Sequence, residues 1–165
     1  MDDGWAVPRR LASSLLAALL VVLLDQFTKQ WILTVLPRPG DGFRVTRFFN
    51  IVLAWNTGVS FSLFNNAGAA NGVIFSLLAA IIVLVLLFWL WRARNGLIAV
   101  AIGLVVGGAI GNVIDRLRLG HVVDFLDFHA GLWHWPDFNV ADSAVCIGVG
   151  LMLIDGLLGG REASK

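Results

Sequence analysis

Apolar positions along this chain collect into four long runs, at about residues 11–35, 72–91, 96–114 and 140–158. Each predicts a helix able to cross a hydrocarbon core, which needs roughly 20 apolar residues. Between the first two runs, Gly42 to Trp55 alternates polar with β-branched and aromatic residues and closes on Asn56-Thr57-Gly58. That pattern predicts a short strand or hairpin on the outer surface, over about residues 42–57. The third run carries Gly103, Gly107 and Gly111 at four-residue spacing, plus Gly108. Removing side chains from one helical face permits close helix approach, so a packing seam is expected there.

Composition narrows the class. Apolar residues make up 58% of the chain and charged residues only 14%, with a mean hydropathy of +0.83. These values describe an integral membrane protein. No soluble domain, internal repeat or low-complexity linker interrupts residues 1–165, so a single domain is expected. Arg9 and Arg10 precede the first run as in a signal peptide. The run is long, however, lacks a small-residue cleavage site before Asp25 and continues through Trp31, so a retained helix is expected. Net charge is +1 and the basic residues are scattered, which offers no basic face to nucleic acid. The lone Cys146 excludes an internal disulfide and is expected to be a small buried packing residue.

Basic residues flank the runs at Arg9 and Arg10, at Arg92 and Arg94, and at Arg161 and Lys165. Their density predicts both termini on the cytoplasmic side. The longer loops also hold Arg38, Arg44, Arg47, Arg116 and Arg118, so the bias is one of density and not of count. Trp31, Trp55, Trp133 and Trp135 fall near run boundaries, where amphipathic rings favour the headgroup zone.

With helices alternating in direction, the unusual polar residues gather on one side. Asp25 and Lys29 lie in the outward half of the first helix, and Asn56 in the outer loop. Asn112, Asp115 and Arg116 end the third helix, Asp124 follows in the outer loop, and Asn139 and Asp142 begin the fourth helix. Only Asp155 stands at the opposite end, where an interfacial position explains it. Such one-sided clustering predicts a site at the outer interface. Each member also has a plainer explanation. Asp25 and Lys29, four apart, suit a neutralising pair. Asn112, Asp115 and Arg116 share a face and suit a helix-end salt-bridge network. Asn139 with Asp142 three residues later suits an N-cap. Asp127, His129, His134 and Asp137 are expected in a solvated loop, and their spacing matches no strong metal template.

Five segments in order change the balance: Asp25-Gln-Phe-Thr-Lys29, Asn56-Thr-Gly-Val-Ser-Phe61, Gly108-Ala-Ile-Gly-Asn-Val-Ile-Asp-Arg116, Gly120-His-Val-Val-Asp-Phe125 and Phe138-Asn-Val-Ala-Asp142. Together they resemble the motifs of lipoprotein signal peptidase, also called signal peptidase II, from about Leu11 to Leu158. Val59 and Ser60 depart from the small residues, such as Ala, that many relatives carry there. The resemblance implies a four-transmembrane-helix bundle, an all-α membrane protein with a small extracytoplasmic β-sheet cradle. It implies a bacterial inner-membrane aspartic endopeptidase that removes the signal peptide of diacylglyceryl-modified prolipoproteins, cutting just before the lipid-bearing cysteine. By motif position Asp124 and Asp142 are the catalytic dyad. Asn56, Asn112, Arg116 and Asn139 support them or orient substrate, and Asp25, Lys29 and Asp115 hold the architecture. No metal or other cofactor is implied. The expected partners are prolipoprotein substrates and membrane lipids, the enzyme acting as a monomer with its site on the periplasmic side and open to inhibition by the cyclic peptide globomycin.

In such a dyad one ionised aspartate takes a proton from water while its protonated neighbour donates to the scissile carbonyl. The sequence leaves open which one holds the proton. An ion or proton relay through Asp25, Lys29, Asp115 and Arg116 is a different reading, but a pathway needs polar groups at several depths. A non-catalytic scaffold packed through the glycine seam is a third.

Overall fold

The structure is a computed structural model that describes residues 6–57, 69–92 and 95–162, with side chains over 9–57, 73–91 and 95–158. Val59, Ser60, Arg94 and Lys165 lie outside the described residues, as do the side chains of Arg92 and Arg161. Four helices, α1 (Ala6–Val35), α2 (Ala69–Arg92), α3 (Gly96–Leu119) and α4 (Val140–Glu162), are joined by strands β1 (Gly42–Arg44), β2 (Phe49–Asn56), β3 (Val122–Ala130) and β4 (Trp133–His134). Within them, Arg9–Val35, Val73–Trp91, Gly96–Leu119 and Val140–Leu158 are long and apolar enough to cross a membrane. The four apolar runs thus became the four long helices, and residues 42–57 became a β element.

Helix α3 is the centre of the bundle, and its glycines are the reason. A Cβ on Gly108 would collide with the Ala141 carbonyl of α4, and one on Gly111 would stand 2.5 Å from Asp25 Oδ2 of α1. Gly103 and Gly107 face Ser14 and Ala18 of α1 in the same way. Two neighbours therefore approach one backbone from opposite sides, as van der Waals packing in lipid demands. Ile98, Ala99, Ile102, Val105 and Val106 close the inner half of this core against Leu86 and Leu90 of α2. Outward faces of α1, α2 and α4 carry exposed Leu, Ile, Val and Phe side chains, from Leu19 and Phe27 to Phe88 and Leu157.

The third helix runs past the expected end at residue 114, to Leu119. It stops at Gly120, whose φ of 79° is left-handed and whose N–H closes on Arg116 O at 3.1 Å. Asn95 caps its start by accepting from Ile98 N, and its amide donates to Asp155 Oδ1 at 2.8 Å, which fixes the carboxylate at the other end.

All four strands form one antiparallel sheet in the order β1-β2-β3-β4. Residues 120–137, expected as loop, supply half of it. Val123 and Phe125 in β3 pack with Leu53 of β2 and Ile32 and Leu36 of α1, all buried. One irregularity matters: Ile51 pairs with Leu126 but Ala54 pairs with Asp124, so β2 spends three residues where β3 spends two. This is a β-bulge.

Candidate active site

Strand β3 carries Asp124 inward, and the segment after β4 returns along it to start α4. Phe138 bridges back to Leu126, its O accepting from the N–H groups of Phe125 and Leu126 at 3.0 and 2.9 Å. Asn139 follows at once and caps α4. Its Oδ1 accepts the Asp142 N–H at 3.0 Å, and Asp142 Oδ2 accepts the Asn139 N–H at 3.2 Å, a reciprocal capping box. The cap expected from the spacing is present, and it coexists with a second role. Asn139 Nδ2 donates to Asp124 Oδ1 at 2.7 Å and to Asn112 Oδ1 at 3.2 Å.

Both carboxylates are met from either side. Asn56 Nδ2 donates to Asp124 Oδ2 at 3.1 Å, and Asn112 Nδ2 donates to Asp142 Oδ1 at 2.8 Å. The bulge in β2 makes the first of these possible. Side chains alternate along a strand, and if the same residues ran on in regular register from the Ile51–Leu126 pair, Trp55 would stand opposite Val122 and Asn56 would project from the opposite face to Asp124.

Below this layer lies a buried ionic one. Lys29 Nζ pairs with Asp25 Oδ2 and Asp115 Oδ2, each at 2.8 Å, and donates to Asn112 Oδ1 at 2.9 Å. The remaining carboxylate oxygens are also used: Asp25 Oδ1 takes the Ala141 N–H at 2.9 Å, and Asp115 Oδ1 takes Gln26 Nε2 at 2.9 Å. The Val123 N–H also donates to Asp115 Oδ2, at 3.2 Å. Thus α1, α3, β3 and the start of α4 are knotted by one network. In place of the helix-end salt-bridge network expected of Asn112, Asp115 and Arg116, Asp115 pairs with Lys29. Arg116 turns away, with Nη1 on Asn112 O at 3.4 Å and its guanidinium 5.8 Å from the Phe75 ring.

Electrostatics separate Asp124 from ordinary carboxylates. It is only 2% exposed, and burial followed by the nearby Asp142 charge pushes its pKa up to about 7, against the opposing hydrogen bonds of Asn56 and Asn139 and the charge of Lys29. Asp142 is less buried. It borders a groove of about 500 Å³ shared with Trp135, Phe138, Ser143, Val145 and Cys146. Cys146 corrects an expectation, being exposed and not buried. Among the described residues, none covers this small side chain on α4.

The outer His and Asp residues correct another. Asp127, expected in a solvated loop, is buried in β3, where Asn50 Nδ2 donates to its Oδ2 and His134 Nδ1 sits on its Oδ1, both at 2.7 Å. Burial alone would raise its pKa, yet these bonds outweigh burial and hold it below the usual range. His129 in β3 stacks on His134 of β4 at 4.9 Å. Asp137 follows β4, its pKa raised by burial and by Asp127. Among the described residues no trio of His, Cys, Asp or Glu is arranged to hold a metal ion.

Two carboxylates linked through asparagines, one on a four-stranded sheet and one at the start of the last of four membrane-length helices, are a specific arrangement, and comparison with known proteins gives the family. The profile of the family described as Signal peptidase (SPase) II matches residues 17–158. The chain belongs to the signal peptidase II family. The lipoprotein signal peptidase of Paraburkholderia phytofirmans is 45% identical over 148 residues, 89% of this chain and 86% of that protein. That of Ralstonia nicotianae is 48% identical over 138 residues, 82% and 79% of the two. A solved bacterial membrane enzyme, obtained by the in meso method, superposes with a TM-score of 0.80 at 35% identity, covering 93% of this chain and 92% of that one. A second, solved by the same method, gives 0.78 at 36% identity over 88% and 93%.

Within the signal peptidase II fold the sequence-derived candidates Asp124, Asp142, Asn56, Asn112, Asn139, Lys29, Asp25 and Asp115 form one connected set, and among the described residues Arg116 joins it by a hydrogen bond to a backbone oxygen and by its charge near Asp142, Asp124 and Asp115. Gln26 was missed. Its amide also reaches Asp25 Oδ2 and Gly111 O, each at 3.2 Å. A polar side chain at membrane depth beside Asp25 was the available signal.

Proposed function

We propose that this enzyme removes the signal peptide from diacylglyceryl-modified prolipoproteins, cutting before the lipidated cysteine with water activated between Asp124 and Asp142. The observation that carries the reading is the burial of the Asp124 carboxylate close to the charge of Asp142. Near neutral pH Asp124, with its pKa about 7, retains the proton shared by the pair and donates to the scissile carbonyl. Asp142 takes a proton from the attacking water. Oxygen adds to the carbonyl carbon, and collapse of the tetrahedral intermediate expels the amine, which leaves with a proton returned by the pair.

Asn56, Asn112 and Asn139 hold the two carboxylates, Arg116 meets substrate, and Asp25, Lys29 and Asp115 fix the helices beneath. Four membrane-length helices support an integral membrane protein, and the basic flanks support cytoplasmic termini with the site at the periplasmic end of an inner-membrane protein. The protein acts as a monomer on substrates held in the bilayer, and a cyclic peptide of the globomycin type competes for the cleft. Burying acyl chains contributes roughly 0.8 kcal/mol per methylene, so the lipid itself drives capture.

A cleavage assay with purified protein on lipidated and unlipidated precursor tests the proposal. The lipidated form is cut far faster, and mass spectrometry finds the modified cysteine at the new N-terminus. Equal rates on both forms, or a cut elsewhere, would overturn it.

A further inference from the structure

The carboxamide of Asn112 stands between a group that only donates and one that accepts. Lys29 Nζ is 2.9 Å from its Oδ1, and Asp142 Oδ1 is 2.8 Å from its Nδ2. An amide turned over exchanges oxygen for nitrogen at little steric cost, so an isolated asparagine could present either atom to Asp142. Lys29 removes that choice. An ammonium has three protons and no lone pair, and here each proton has one acceptor: Asp25 Oδ2, Asp115 Oδ2 and Asn112 Oδ1. Nitrogen facing Lys29 would set donor against donor in a buried site, at the cost of an unsatisfied charge. Asn139 Nδ2 also approaches Asn112 Oδ1, but at 3.2 Å, and it divides two protons among that oxygen, Asp124 Oδ1 and Val123 O. The lysine is therefore the principal lock.

We propose that Lys29 is a positioning residue for cleavage: by holding Asn112 Oδ1 it commits Asn112 Nδ2 to Asp142 and fixes that carboxylate in one orientation with an obligate donor on Oδ1. The inference rests on the reading of Asp124 and Asp142 as the reacting pair. It goes beyond neutralising Asp25 and Asp115, which needs only the charge of Lys29. The charged groups around the lysine and the pair are Asp25 from α1, Asp115, Arg116 and Arg118 from α3, Asp124 from β3 and Asp142 from α4.

The test compares Lys29→Met, Lys29→Arg and Asn112→Asp with the wild type and with Asp142→Asn, all purified in detergent, for melting temperature, kcat, KM and pH profile on lipidated precursor. Lys29→Met lowers kcat on the order of 100-fold, as loss of one preorganised donor does, with KM little changed. The acid limb of its profile moves to higher pH, because the ionised form of the pair has lost hydrogen bonding. Lys29→Arg, which keeps charge and donors, recovers part of kcat and moves the limb back. Asn112→Asp keeps an acceptor for Lys29 and hence the fold, yet offers Asp142 a carboxylate in place of N–H, and moves the limb the same way. A folded Lys29→Met enzyme with wild-type kcat and limb overturns the proposal. So does an unmoved limb in Asn112→Asp, the variant that decides the matter if Lys29→Met does not fold. Turnover in Asp142→Asn would instead defeat the dyad reading.

Discussion

Asn139 Nδ2 lies 2.7 Å from Asp124 Oδ1 while Asn139 Oδ1 receives the Asp142 N–H, so one side chain ties the Asp124 carboxylate to the backbone of Asp142. Helix capping and site assembly are the same set of bonds here. A variant that separates them is available. Asn139→Ser keeps a capping oxygen but has no amide to reach Asp124, so melting temperature stays close to wild type while kcat falls on the order of 100-fold. Asn139→Ala removes both and loses about 1 kcal/mol of stability as well. Normal turnover in both variants, with stability lost in Asn139→Ala alone, would reduce Asn139 to a cap.

The dyad reading predicts non-additive losses. Asp124→Asn and Asp142→Asn each nearly abolish cleavage, and the double variant is little worse than either, because the groups act as one unit. Measured kcat values that multiply would indicate separate roles.

Stability against pH gives a test independent of substrate. The folded-state pKa of Asp124, about 7, exceeds the ordinary carboxylate value of 3.8, so the folded protein binds the extra proton. Its contribution is fully present below the unfolded value and is lost as pH rises toward 7. Three units correspond to on the order of 4 kcal/mol. Asp124→Asn removes that slope and is the more stable protein at alkaline pH. Wild-type and variant melting curves that run parallel across this window would exclude a raised Asp124.

The proposed topology rests on the basic flanks. In a Cys146→Ser background, cysteines placed at Asp41 and Gly131, both in the sheet region, react with an impermeant reagent from the periplasmic side. A cysteine at Asn95, in the α2–α3 turn, does not. Reversed labelling would invert the orientation.

The helices were legible because a hydrocarbon solvent demands long apolar runs, and the glycine spacing of α3 announced close packing on both flanks. Asp25, Lys29, Asp115, Asn112, Asn139 and both dyad candidates stood out as polar groups at membrane depth. Strand β3 was not legible. His121, Asp124, Asp127 and His129 give Val122–Ala130 a polar look, and only the structure reveals that Asn50 and His134 satisfy the buried Asp127. Cys146 was misjudged because an apolar run has a lipid face as well as a core face.

The extra residue in β2 makes the site sensitive to counting. A strand of the same sequence run straight on from the Ile51–Leu126 pair would set Trp55 opposite Val122 and turn Asn56 to the far side of the sheet from Asp124. Loss of one residue at Val52 or Leu53 would instead cancel the bulge and leave Asn56 facing Asp124. Strand parity within the roof is thus as much a part of the enzyme as the aspartates beneath.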